Sequence, residues 1–188
     1  MDSILFWNSV ALEVHRRDFA FDVDMETGKP QGPQQGGPTR TSRALAIVHL
    51  AMYDAWNGAR GIANNYLNVR SGQNLLPAAP PPAASADTAA ASAAATALKV
   101  LFSRQAAYIE SKMQEFCAGA SVAGQSAQQK RDGQDYGRAV AQALLDFRAK
   151  DGSDAVDDYI AGDAPGQHRP DPYNPVQGYL GSRWGKVT

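Results

Sequence analysis

Residues Thr41 to Gly58 read TSRALAIVHLAMYDAWNG, and this stretch decides the fold class. Its 18 residues make about five helical turns, apolar almost all the way round, yet they include Arg43, His49, Tyr53 and Asp54. A helix apolar on every side belongs inside a helical core. Polar groups carried into that core need partners, because one left unpaired costs about 1–3 kcal/mol. The stretch therefore predicts an all-α interior fastened by specific polar contacts.

The neighbouring segments agree. Upstream, Ile4, Trp7, Ala11 and Val14 recur at helical spacing, with Leu5 and Leu12 widening the face, and predict a first helix from Ser3 to about Asp18. Phe19 to Pro38 is rich in Gly, Pro and Gln without a period and reads as a loop. Thr39 or Thr41 can cap the second helix, which Gly58 and Gly61 then end. Asn64 to Pro82 is irregular and closes on the rigid run PAAPPP. Ser85 or Asp87 caps a third helix, SADTAAASAAATALKVLF, whose low complexity is structural, since alanine favours helix and lets neighbours approach. Tyr108, Ile109, Met113 and Phe116 predict a fourth helix ending near Gly119. A fifth runs from about Ser126 to Lys150, with Tyr136, Val140, Leu144 and Phe147 as its buried stripe. Inside it, Gly133 and Gly137 either admit a neighbouring helix closely or mark a locally weak stretch. No segment has the pattern of a strand.

From Gly152 to Thr188 the chain has four prolines, six glycines and no period. Structureless segments of this length are usually functional or wrapped on something else. Tyr159, Tyr173, Tyr179 and Trp184 are not residues of a solvated linker, so the segment is expected to lie ordered along a surface. It stops at WGKVT without a closing element, and the chain is expected to continue into further structure. The organisation expected is a bundle of about five helices over residues 1–151 and an extended irregular segment over 152–188.

The 188 residues carry a net charge of −1 and no basic stripe, which argues against a nucleic-acid partner. The longest apolar candidate, Ala44 to Trp56, is interrupted by His49 and Asp54, so no membrane span is expected. MDSILFWNSVALEVHRR lacks the pattern of a signal peptide; a cytoplasmic protein and a mature secreted or periplasmic one both fit. The single Cys117 excludes a disulfide framework and a cysteine-based zinc site within the chain.

Catalytic patterns are missing. The sequence has no HExxH, CxxC, GxSxG or phosphate-cradling glycine loop. Its three histidines do not stand at metal-ligand spacing: His15 ends an amphipathic helix, His49 reads as a core histidine bonded to a neighbouring helix, and His168 lies in the tail, the one best placed for a pocket. Glu13 and Asp54 could be imagined as the paired carboxylates of a helical di-iron protein, but that class needs Glu-x-x-His repeats, which are missing. Arg43 reads as the ion-pair partner of a buried acid, Glu13 or Asp54. Glu13, Arg43, His49 and Asp54 are thus expected to be structural polar groups of the core, and no catalytic or metal-ligating set can be assembled.

Three blocks taken together carry a resemblance: ILFWNSVALEVHRR at 4–17, GGPTRTSRALAIVHLAMYDAWNG at 36–58, and APGQHRPDPYNPVQGYLGSRWGKVT at 164–188. In them the chain resembles the chloroperoxidase-like branch of the vanadium-dependent haloperoxidases. That family opens with a Leu-Phe-Trp-Asn helix followed by Leu-Glu, matched by Leu5 to Asn8, Leu12 and Glu13. A Gly-Pro step then leads into a helix with Arg-Ala-Leu, His-Leu-Ala and an Asp-Ala pair, matched by Arg43 to Leu45, His49 to Ala51, Asp54 and Ala55, although Ser42 directly adjoins Arg43 here instead of standing one residue earlier.

The resemblance implies one half of an all-helical, two-bundle fold that shares its site architecture with a class of acid phosphatases. It implies an activity as well, the peroxide-dependent oxidation of halide by bound vanadate. In the family, a lysine, two arginines, a Ser-Gly-His stretch and a terminal histidine hold the vanadate, all in the second half; Ser-Gly-His does not occur here. The cofactor expected is therefore vanadate in the complete enzyme, with none bound by this chain alone. The principal partner would be a C-terminal catalytic half, on a separate chain or a missing segment, and a homo-oligomer is also compatible. Pro38 matches a family proline near the entrance to the vanadate site, and the turn Pro165-Gly166 corresponds to another; each either lines the substrate channel or only shapes a loop. Two other readings stand beside this one: half of a related phosphatase acting on phosphate esters, and a non-enzymatic helical interaction module.

Overall fold

The computed structural model describes residues 2–20, 31–156, 158–176 and 178–188. Six α-helices follow in order: α1 (Ser3–Asp18), α2 (Gly37–Arg60), α3 (Tyr66–Ser71), α4 (Ala86–Leu101), α5 (Ala106–Ala118) and α6 (Ala127–Arg148). Single 3-10 turns lie at Ser103–Gln105, Ala120–Val122 and Trp184–Lys186. The described residues form no strand, and the fold is all-α. Residues 21–30 of the expected loop lie outside the described residues. The chain divides into two compact units, Met1–Ala149 and Lys150–Thr188.

The helix at the centre of the first unit is α4 rather than α2. Twelve of the 16 residues of α4 are buried, among them Ala89 to Ala91 and Ala93 to Ala95, and α6, α2, α5 and α1 all pack on it. Alanine makes this arrangement possible, since a helix with only methyl groups on its surface lets several neighbours come close at once. α2 buries Ala44, Ile47, Val48, Ala51, Met52 and Ala55 but leaves Ser42, Ala46, Tyr53 and Arg60 exposed. The expectation that α2 is enclosed on every side is thus corrected, for it has an open face.

Glycine sets the closeness of α4 and α6. A Cβ on Gly137 would stand 2.0 Å from the Ala89 carbonyl oxygen, and one on Gly133 would stand 2.4 Å from the Ser85 carbonyl oxygen. Of the two readings of this pair, close approach is the one found. Polar contacts lock the register: Ser92 Oγ donates to the Gln134 carbonyl (2.7 Å) and the Ser85 amide to the Gln129 carbonyl (3.0 Å). A capping box of Ser126 and Gln129 starts α6, and Ser85 caps α4 by accepting from the Thr88 amide. At the other side of the core, Trp7 is fully buried with its ring 6.3 Å from that of Phe116, and Phe6 stacks 5.4 Å from the same ring.

Two helix starts differ from expectation. α2 begins at Gly37, before either threonine, with Pro38 in its first turn, where a missing N–H is harmless; Gly61, at φ +64°, ends it. Within the irregular segment Asn64 to Pro82 lies α3, six residues long, whose own N-cap Asn65 makes no side-chain cap bond. Its capping comes from α2.

Among its described residues the second unit is irregular apart from one 3-10 turn and an isolated bridge between Asp171 and Asn174. Its ends meet, since the Thr188 amide donates to the Asp151 carbonyl at 3.1 Å. Arg183 grips the Asp158 carboxylate through two nitrogens, and the rings of Tyr159 and Tyr179 pack edge to face at 5.1 Å.

Candidate functional site

The polar residues of α2 organise neighbouring elements. Asp54 is fully buried; its Oδ1 accepts from the Tyr66 amide at 2.5 Å and its Oδ2 from the Leu67 amide at 2.9 Å. These are the first two amides of α3, and amides at a helix start have no partner within their own helix. Asp54 thus caps α3 across the fold. Three residues on, Asn57 donates to the Ala63 carbonyl (2.7 Å) and to Asn65 Oδ1 (2.6 Å), and accepts from the Ala63 amide (2.8 Å). Tyr53 Oη donates to the Asn64 carbonyl at 3.0 Å. Burial pushes the Asp54 carboxyl above its ordinary range, while the two amides pull it back. Burial, with the nearby Asp54 charge, also raises the Tyr136 phenol.

His49 joins α2 to α1. Its Nδ1 donates to the Leu45 carbonyl at 2.8 Å, and its Nε2 meets the side-chain amide of Asn8 at 3.1 Å. Arg43 donates from Nη2 to the Arg148 carbonyl at 3.0 Å, tying α2 to the last residue of α6. The pairing of Arg43 with Glu13 or Asp54 is replaced by other partners for both acids. Glu13 is half-buried, and Arg16 (2.7 Å) and Arg17 (2.8 Å) of its own helix hold its carboxylate. Three- and four-residue spacings on one helix face bring these groups together before any tertiary partner can compete.

That cluster gives a pH prediction. Hydrogen bonds from Arg16 and then Arg17 lower the Glu13 carboxyl to about 2. Its folded value lies below the unfolded value of about 4.3, so its contribution to stability is present above that unfolded value and is lost as pH falls toward about 2. Carboxyl NMR titration should show Glu13 titrating well below the other glutamates, and Arg16→Gln should return it toward the ordinary range.

The segment leading to Pro38 is clamped. Asp18 accepts from the Gln34 and Gln35 amides, each at 2.9 Å. Gln34 Nε2 donates to Ser103 Oγ (2.9 Å) and Gln35 Nε2 to the Leu101 carbonyl (2.9 Å). Arg104 donates to Gln31 Oε1 (2.8 Å) and the Gly32 carbonyl (2.6 Å). Pro38 follows this clamp and is exposed. Sequence reasoning missed these residues because Asp18, Gln34, Gln35 and Arg104 are scattered along the chain and no spacing links them.

In the second unit, Pro165 and Gly166 form a turn closed by the Gln167 amide donating to the Ala164 carbonyl at 3.0 Å. Gly166 takes φ +83°, which favours glycine, and both turn residues are exposed. Gly166 lines a pocket of about 350 Å³ with Tyr159, His168, Tyr179, Leu180 and Ser182. The His168 ring lies 5.7 Å from that of Tyr179, and its backbone amide donates to Tyr159 Oη at 2.7 Å. Pro38 and the Pro165-Gly166 turn thus belong to different units.

A tetrahedral oxyanion such as vanadate needs several converging cations. The 350 Å³ pocket has neither lysine nor arginine in its wall. A second pocket, in the first unit, has one cation, Arg60, beside Asp2 and Asp87. Among the described residues no three His, Cys, Asp or Glu side chains cluster so as to hold a metal ion. Neither pocket fits vanadate with the side chains present.

Asp54 and Asn57 of α2 thus hold the loop and helix that follow within one all-helical bundle, and the class the fold defines is that of the all-α helical domains. The sequence model of one such family, the vanadium chloroperoxidase N-terminal domain, matches residues 1–178, and the chain belongs to that family. None of the curated proteins compared with the chain matches it. No helix among the described residues is long and apolar enough to cross a membrane.

Proposed function

We propose that this chain is the N-terminal helical half of a vanadium chloroperoxidase-like enzyme, which supplies one bundle and part of the substrate channel to a C-terminal half holding the vanadate. The single observation that carries this reading is the family match over residues 1–178. When bound in the complete enzyme, vanadate would supply peroxide activation and halide oxidation, and its cationic surroundings would come from the other half.

The roles of this chain are then positional. The clamp of Asp18 and Arg104 on residues 31–35 holds Pro38 at a fixed place, and the Gly166 turn does the same for Pro165. The second unit also leaves Val156, Ile160, Tyr173, Val176 and Leu180 at least 78% exposed. In this reading the catalytic half covers these side chains, which would account for their exposure.

Titration with the separately produced catalytic half of a family member tests this. A one-to-one complex is expected, weakened at least about tenfold by Ile160→Asp with Val176→Asp, at roughly 1.4 kcal/mol per factor of ten. Absence of any complex, or equal affinity of the double variant, would count against the reading.

A further inference from the structure

We draw no further inference here: the strongest candidate, the cleft that the starts of α1, α4 and α6 form with one face of α2, holds Asp2 and Asp87, whose charges Arg60 and the helix starts already meet, and nothing in the structure shows what covers it.

Discussion

Gly137→Ala should unfold this protein or cost it roughly 3 kcal/mol or more, at the upper end of overpacking effects. On an isolated helix the same change would stabilise by up to about 1 kcal/mol, because alanine is the better helix former. The contact decides the sign. The new methyl would meet the Ala89 carbonyl oxygen at 2.0 Å and the Ala89 carbonyl carbon at 2.8 Å. Both are backbone atoms of the central helix, so no rotamer change can relieve the clash, and α6 would have to move off α4. That movement would break the Ser92 and Ser85 bonds to α6 as well. Gly133→Ala, with 2.4 Å to the Ser85 carbonyl oxygen, should show the same effect in weaker form. Gly124→Ala is the control: nothing stands within 4 Å of its Cβ, and its change should stay within about 0.5 kcal/mol. Thermal or urea unfolding of the three variants checks the order.

Asp54→Ala should be the next most damaging, by roughly 2–5 kcal/mol, since it leaves one buried and one part-buried amide without an acceptor, each at up to about 3 kcal/mol. Asp54→Asn retains one acceptor oxygen but turns an N–H₂ group toward the other amide, so about half that loss is expected. The effect should be local as well as global. Hydrogen exchange at Tyr66 and Leu67 should accelerate in both variants before the rest of the bundle is affected, because those amides are the ones Asp54 holds. The pH dependence has a definite sign. The folded carboxyl lies above its unfolded value, so the folded state binds more protons through that window and the Asp54 contribution declines as pH rises across it. This slope is opposite to that of Glu13, and Asp54→Asn should remove it.

The elements most legible in the sequence were those long enough to repeat their period. Ile4, Trp7, Ala11 and Val14 were enough to place α1, and Tyr136, Val140 and Leu144 to place α6. α3 escaped because six residues hold less than two turns and because its cap, Asp54, sits 12 residues before Tyr66. The roles of α2 and α4 were not separable by hydropathy. Leucine, isoleucine and methionine made α2 look the more buried, yet what admits neighbours on all sides is small volume, and that belongs to the alanines of α4.

The site was legible in kind and not in pairing. Arg43 and Asp54 could be marked as polar groups needing partners, but an Arg43 bond to the Arg148 carbonyl spans 105 residues, and backbone acceptors leave no trace in side-chain spacing. Glu13 was drawn away by the arginines three and four residues beyond it. Asn57 gave a signal that could have been used: an acid and an amide three residues apart, just before the glycines that end a helix, are placed to hold the turn that follows.

The role proposed for this chain is to support a vanadate-dependent reaction whose chemistry is performed by another half. Its most direct test is a halogenation assay with vanadate, peroxide, bromide and a brominatable dye, run on the purified chain alone and again after addition of the catalytic half of a family member. The chain alone should give no bromination above the protein-free rate, and the mixture should brominate faster than the added half by itself. Vanadate-dependent bromination by this chain alone would contradict it.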